Sequence, residues 1–103
     1  MALIVQKFGG TSVGTLERIG RAAERVAATV RQGHRVAVVV SAMAGETNRL
    51  LKVAHDIAEV PDLSEVDVLI ATGEQASAAM LAIQLSARGH AARSFLGHQI
   101  AIH

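Results

Sequence analysis

The chain opens on an apolar run, Ala2-Leu3-Ile4-Val5, that gives way to Lys7 and then to a pair of glycines, Gly9 and Gly10. A β-branched run ended by two glycines reads as a buried strand over residues 2–7, closing in a tight turn over residues 8–14. The period then changes. Leu16, Ile19, Ala23, Val26, Ala27 and Val30 recur at three- and four-residue steps, with Glu17, Arg18, Arg21, Glu24, Arg25 and Arg31 between them. That spacing predicts an amphipathic helix, with Thr15 as its N-cap and Gly33 as its stop. Residues 35–40 are nearly continuous in β-branched side chains, so a second strand is expected with both faces covered, as in a parallel sheet. Strand, helix and strand make a βαβ unit whose crossover should be right-handed.

A loop of small residues, Ser41-Ala42-Met43-Ala44-Gly45-Glu46, leaves the second strand. Thr47 or Asn48 should cap a second helix with Leu50, Leu51, Val53, Ala54 and Ile57 as its apolar set, broken at Pro61 and Asp62. Residues 64–88 can be divided in two ways. Val66, Leu69 and Ile70 fit a short helix, and residues 68–71 also fit a buried strand; the helix is preferred. Gly73 then interrupts, and Glu74 opens a long Ala-rich helix that runs to Arg88 and stops at Gly89. Residues 91–96 read as a third strand and residues 100–103 as the start of a fourth. A sequence that closes on Gln99-Ile100-Ala101-Ile102-His103 ends inside a strand-like pattern, which points to a fold cut short or one that needs a partner piece.

Composition narrows the classes. A chain of 103 residues holds one small domain, and 50% hydrophobic against 18% charged residues excludes disorder by composition. Phe8 and Phe95 are the only aromatics, so stacking platforms for bases are lacking, and a net charge of +1 leaves no nucleic-acid footprint. The absence of cysteine rules out a disulfide framework and a thiolate site, and it is compatible with a reducing cytoplasm. No signal peptide is read, and the apolar runs fall far short of the ~20 residues that span a bilayer. A cytoplasmic protein without membrane or nucleic-acid partners is expected.

The candidate chemistry sits at the first turn. Lys7 lies at the carboxyl end of its strand, where ligands collect in open α/β sheets. Gly9 and Gly10 let backbone N–H groups approach closely, Thr11 and Ser12 add hydroxyls, and the following helix adds the positive end of its dipole. This grouping suits a polyphosphate. It is neither a P-loop, since Gly14 is followed by Thr15, nor Gly-x-Gly-x-x-Gly, since position 11 is Thr. Ser41 should reach the same sheet edge, Thr47 and Asn48 a helix N-terminus fed by that loop, and Glu74 another helix start. Each has a plainer reading: Lys7 as a solvated strand end, Ser41 as a turn residue, Thr47 as an N-cap, and Glu74 as a partner of a helix dipole. The Arg18, Arg21 and Arg25 series reads as a solvated helix face, and Met43 and Met80 as packing.

Taken together, Lys7-Phe8-Gly9-Gly10-Thr11-Ser12, Val40-Ser41-Ala42-Met43, Gly45-Glu46-Thr47-Asn48, Thr72-Gly73-Glu74-Gln75 and Gly97-x-Gln99-Ile100 resemble the opening of bacterial aspartate kinases, in order and across the whole chain. The resemblance implies the amino-acid-kinase fold: α/β, a three-layer α/β/α sandwich with a mainly parallel sheet, here the N-terminal portion of the domain and incomplete at its C-terminus. It implies transfer of the γ-phosphoryl group of ATP, accompanied by Mg²⁺, to the side-chain carboxylate of L-aspartate, the entry to lysine, threonine and methionine biosynthesis. By the family pattern Lys7 contacts the phosphates and neutralises charge on the transferring group. Phe8, Gly9, Gly10, Thr11 and Ser41 line the phosphate side, while Thr47 and Glu74 hold aspartate, Glu74 pairing with its α-ammonium.

Complete aspartate kinases continue well beyond this length. Their second half carries the adenine site, further phosphate contacts and an arginine for the substrate carboxylate, and regulatory ACT domains follow. None of these is in the 103 residues, so about half an active site is expected, inactive by itself. The chain should either oligomerise or join the remainder of the same enzyme. A non-catalytic, self-associating α/β module is the alternative. A generic dinucleotide-binding unit fits less well, because Ser41 stands where an acidic residue should end the second strand.

Overall fold

The computed structural model describes residues 1–95. Two strands and three helices follow one another along the chain: β1 (Leu3–Phe8), α1 (Leu16–Arg31), β2 (Arg35–Val40), α2 (Glu46–Ile57) and α3 (Leu63–Ala87). β1 and β2 pair in parallel, in register from Leu3 with Arg35 to Phe8 with Val40. The βαβ unit expected from the sequence is therefore present, and β2 has the expected limits.

α1 forms as its caps dictate. Thr15 is extended and its Oγ1 accepts from the Arg18 N–H at 3.2 Å, a contact worth about 1 kcal/mol in general. The C-terminal end turns at Gly33, whose φ of +91° lies in the left-handed region that a Cβ disfavours. The buried face of α1 is Ile19, Ala22, Ala23, Val26 and Ala27. Leu16, counted in that face from sequence, is exposed in the first turn.

This alanine-rich stripe packs on α3 and β2. The core it forms with Phe8, Val13, Val40, Leu81 and Leu85 is small and aliphatic apart from one ring. At the far end of α3, Arg88 Nε donates to Glu24 Oε1 at 2.6 Å and ties α3 back to α1.

Three expectations are corrected. The helix expected to break at Gly73 is one continuous 25-residue helix, α3, capped by Asp62, whose Oδ1 accepts from the Ser64 and Glu65 N–H groups. Glycine disfavours a helix interior by only about 1 kcal/mol, and tertiary contact at Gly73 outweighs that. By length and composition α3 is also apolar enough to cross a membrane, which the division at Gly73 concealed. Here it packs against α1, α2 and β2 through Gly73, Ser77, Leu81 and Leu85.

Second, the N-cap position of α2 falls not on Thr47 or Asn48 but on Gly45, at φ +81° and with no side-chain cap. Third, residues 91–95 are not a strand: an extended segment needs a ladder partner, and none pairs with it among the described residues. The strand expected over 100–103 lies outside the described residues.

The strands differ from expectation in one further way. Burial alternates along both, with Ile4, Gln6, Phe8, Val36, Val38 and Val40 turned toward the helices. The opposite face is bare among the described residues: Leu3, Val5 and Val39 are 64%, 66% and 52% exposed. One helical layer covers one sheet face, and the second layer of the expected sandwich is not among the described residues.

The Arg88 link carries a pH signature. The Arg88 hydrogen bond holds the Glu24 carboxyl below its ordinary value, opposed by desolvation and helped by the Arg88 charge. A carboxylate lowered in the folded state stabilises above its unfolded pKa and loses that contribution as pH falls through the folded one. Wild type should therefore melt above Glu24→Gln at pH 7, and the gap should close as the pH falls below the carboxylate range. Thermal melts between pH 7 and pH 3 measure it.

Candidate functional site

The site is assembled at the carboxyl end of the two-stranded sheet. β1 delivers Lys7 to its last but one position, opposite Val39. Lys7 is exposed and shares the bare sheet face with Leu3 and Val5. Its neighbour Phe8 has the opposite orientation. The Phe8 ring is 5% exposed, packed into the core with the Arg25 guanidinium 5.7 Å above its centroid, so the ring is not open to a ligand. The Phe8 carbonyl accepts from the Ser41 N–H at 3.0 Å. That bond extends the ladder by one step and sets Ser41 beside the start of the glycine turn.

The turn from Gly9 to Gly14 is held by few contacts. The Ser12 N–H donates to Gly9 O at 3.0 Å and the Gly14 N–H to Thr11 O at 3.4 Å, while Val13 is fully buried. Backbone approach does the rest. A Cβ on Gly10 would lie 3.3 Å from Ala42 O, and one on Gly14 would lie 3.3 Å from Ala44 Cβ. The loops that leave β1 and β2 are therefore packed against each other. Gly9, by contrast, has no atom within 4 Å of where a Cβ would stand, so its backbone is open on that side.

α3 closes the same cluster. A Cβ on Gly73 would lie 3.0 Å from Ala42 Cβ and 3.2 Å from Glu46 Cγ. Gly73 is thus the point where the middle of a long helix crosses the β2–α2 loop, and Glu74 follows it as an exposed residue just before the midpoint of α3. The helix-dipole reading of Glu74 falls with this, since the residue is nowhere near a helix start.

Thr47 is an exposed residue of the first turn of α2, and Gly45 holds the N-cap position without a side-chain cap. Its hydroxyl makes no hydrogen bond among the described residues, which removes the N-cap as its explanation. The same is true of the Thr11, Ser12 and Ser41 hydroxyls, and Lys7 has no ion-pair partner among the described residues.

Sequence reasoning placed Lys7, Gly9, Gly10, Thr11 and Ser41 at the ends of two adjacent parallel strands and Thr47 at the start of the following helix, and the fold has them there. It missed Ala42, a buried residue of the β2 loop whose carbonyl faces Gly10 and whose methyl faces Gly73, and the positional reason for Gly73. The available signal was the run of small residues, Ser41-Ala42-Met43-Ala44-Gly45, facing a glycine inside a helical pattern.

A cavity of about 270 Å³ lies beside the turn, lined by Phe8, Ser12, Arg18, Arg21, Ala22 and Arg25. Each guanidinium there is already engaged: Arg18 on the Thr11 carbonyl at 2.8 Å, Arg21 on Glu17 at 2.6 Å, and Arg25 over Phe8. At the start of α2, Arg49 pairs with Glu46 at 2.6 Å and lowers its carboxyl below the ordinary value, mainly through the hydrogen bond. No three His, Asp or Glu side chains converge to hold a metal ion among the described residues.

Residues 2–102 match the model of the amino acid kinase family. The chain belongs to the amino acid kinase family. Within this family it is 55% identical over 102 residues to an aspartokinase of Pseudomonas aeruginosa and 52% identical over 102 residues to one of Thermus thermophilus. Each alignment covers 99% of this chain and 25% of the relative, so the chain spans about a quarter of their length. The crystal structure of an aspartate kinase from Synechocystis superposes with a TM-score of 0.81 at 50% identity, over 84% of this chain and 15% of that one. The parallel strands and three helices are a partial α/β amino-acid-kinase fold.

The crossing at Ala42 is testable. Gly73→Ala would gain up to about 1 kcal/mol of helix propensity but force a methyl group against Ala42, an overpacking worth about 1–3 kcal/mol. A net loss of about 1 kcal/mol is expected in urea denaturation of the chain, whereas Ala76→Gly, on an exposed face of α3, should lose only the propensity.

Proposed function

We propose that this chain forms the phosphate side and part of the aspartate side of an aspartate kinase, which transfers the γ-phosphoryl group of ATP to the side-chain carboxylate of L-aspartate to give ADP and 4-phospho-L-aspartate. The observation that carries the reading is the packing of the Gly9–Gly14 turn onto the Ser41–Gly45 loop, with Lys7 unpaired among the described residues, in a chain about half identical to aspartokinases. On this reading the chain is the N-terminal portion of the kinase domain and works in the cytoplasm toward lysine, threonine and methionine.

The chemistry asks little of the protein beyond alignment and charge. An aspartate side chain in water ionises at a pH of about 3.9 and is already a nucleophile at neutral pH, so no general base is needed. Its oxygen attacks the γ-phosphorus while the bond to the bridging oxygen breaks and ADP leaves. Catalysis then consists of holding the two reactants in line and offsetting negative charge on the phosphoryl group. Lys7 supplies a mobile ammonium at the strand end. Gly9 and Gly10 supply backbone N–H groups, and Thr11 and Ser41 hydroxyls without another partner among the described residues. Mg²⁺ would travel with the nucleotide phosphates and offset their charge. Thr47 and Glu74 hold the amino-acid end of aspartate, Glu74 through its α-ammonium.

The bare face carrying Leu3, Val5 and Val39 favours a second reading, a non-catalytic module that self-associates through its sheet. The two readings separate in one experiment. A chimera in which these 103 residues replace the matching quarter of the Pseudomonas aeruginosa aspartokinase is assayed for ADP release with ATP, Mg²⁺ and L-aspartate, beside the 103-residue chain alone. The chimera should turn over, the isolated chain should not, and Lys7→Ala in the chimera should lower kcat by about 10²-fold or more. An inactive but folded chimera would remove the kinase reading. Activity indifferent to Lys7→Ala would remove Lys7 from it, and a concentration-independent monomer of the isolated chain in sedimentation would remove the second reading.

A further inference from the structure

The turn proposed to face the phosphates has three glycines among its six residues, and it is anchored at its far end by the fully buried Val13. Gly9 and Gly10 tolerate wide changes in φ and ψ, and nothing packs on the open side of Gly9. Its internal hydrogen bonds are two, one of them long at 3.4 Å. Such a turn binds a ligand well only if something outside it prevents its peptide planes from rotating.

Arg18 is placed to do this. Its Nη1 reaches back seven residues and donates to the Thr11 carbonyl at 2.8 Å, the same carbonyl that accepts from the Gly14 N–H. The other side of that peptide is the Ser12 N–H, which donates to Gly9 O. The Thr11–Ser12 peptide is thus gripped at both its oxygen and its nitrogen. Arg18 itself has a fixed base, because its backbone N–H is the group that the Thr15 side chain caps. A planar guanidinium on a helix whose first turn is locked makes a rigid brace, which a flexible ammonium would imitate only in part.

The consequence concerns charge. A carbonyl committed to Arg18 cannot turn its oxygen toward an incoming phosphate, where it would repel the negative oxygens and withdraw an N–H donor. We propose that Arg18 is a positioning residue that holds the Thr11–Ser12 peptide so that the Gly9–Gly14 turn keeps one donor arrangement toward the nucleotide phosphates. This rests on the reading of that turn as the ATP side. The rival role for Arg18, as one of a trio of arginines capturing an anion in the neighbouring cavity, is disfavoured because each guanidinium is already engaged.

The test uses two proteins and two readouts. In the chimera, Arg18→Met keeps the apolar stem and deletes the donors. It should raise KM for ATP by about three- to tenfold, as loss of a charge-assisted hydrogen bond at an exposed position implies, with KM for aspartate nearly unchanged. Arg18→Lys should recover part of the loss, and Arg21→Met, on the same helix face, should change neither constant. In the 103-residue chain, amide hydrogen exchange at Ser12 and Gly14 should quicken several-fold in Arg18→Met, with the melting temperature little changed. Equal changes in both KM values, an unchanged KM for ATP, or unaltered exchange at Ser12 and Gly14 would each overturn the inference. A wild-type chimera that is inactive, or indifferent to Lys7→Ala, would instead count against the kinase reading, while the exchange data would still judge whether Arg18 holds the turn.

Discussion

The structure depends on the close approach of three backbone segments around Ala42. The loop leaving β1, the loop leaving β2 and the middle of α3 meet there at distances where a Cβ on Gly10 or Gly73 would stand 3.3 or 3.0 Å from its neighbour. Those positions admit no larger side chain without displacement of a segment. The consequence is functional as well as structural. The candidate residues lie on separate elements, and the crossing at Ala42 joins those elements through small residues.

Polar groups are distributed accordingly. Away from the site, several are engaged: Thr15 and Asp62 cap helices, Arg21 and Lys52 pair along their own helices, and Arg88 joins α3 to α1 through Glu24, whereas Ser77 Oγ is buried without a partner among the described residues. At the sheet edge they are not. Lys7 and the hydroxyls of Ser41 and Thr47 have no partner among the described residues. Isolated exposed ion pairs on helices contribute little to stability.

Much of this was legible in the order of residues. The two strands, the first helix and its Thr15 cap followed from local periods and from residue types with few alternatives, and Lys7 beside Gly9-Gly10 marked the end of a strand at which a ligand collects. The position of Ser41 at the sheet edge followed once the strands were taken as parallel, and that of Thr47 from the helix start after the β2 loop. The second and third helices were less well served. Gly45 was passed over because it holds the N-cap position, at φ +81°, without a side-chain acceptor to signal it, and α3 was divided at a glycine that a helix tolerates when a neighbour needs the room. The expectation of a strand after Gly89 overlooked that a strand exists only with a partner.

By itself, then, the sequence determined which stretches could be strands or helices, where caps and turns fall, and that a cation, two glycines and several hydroxyls occur at strand ends; these are properties of neighbours along the chain, and local sterics and hydrogen bonding decide them. Tertiary structure alone decided that one sheet face is covered and the other bare, that Gly73 lies against Ala42, that Glu74 sits inside a helix and that Arg18 returns to the Thr11 carbonyl. Each of these joins segments distant in sequence or turns on which atoms come within a few ångströms, and no periodicity of a single segment encodes what it will be packed against.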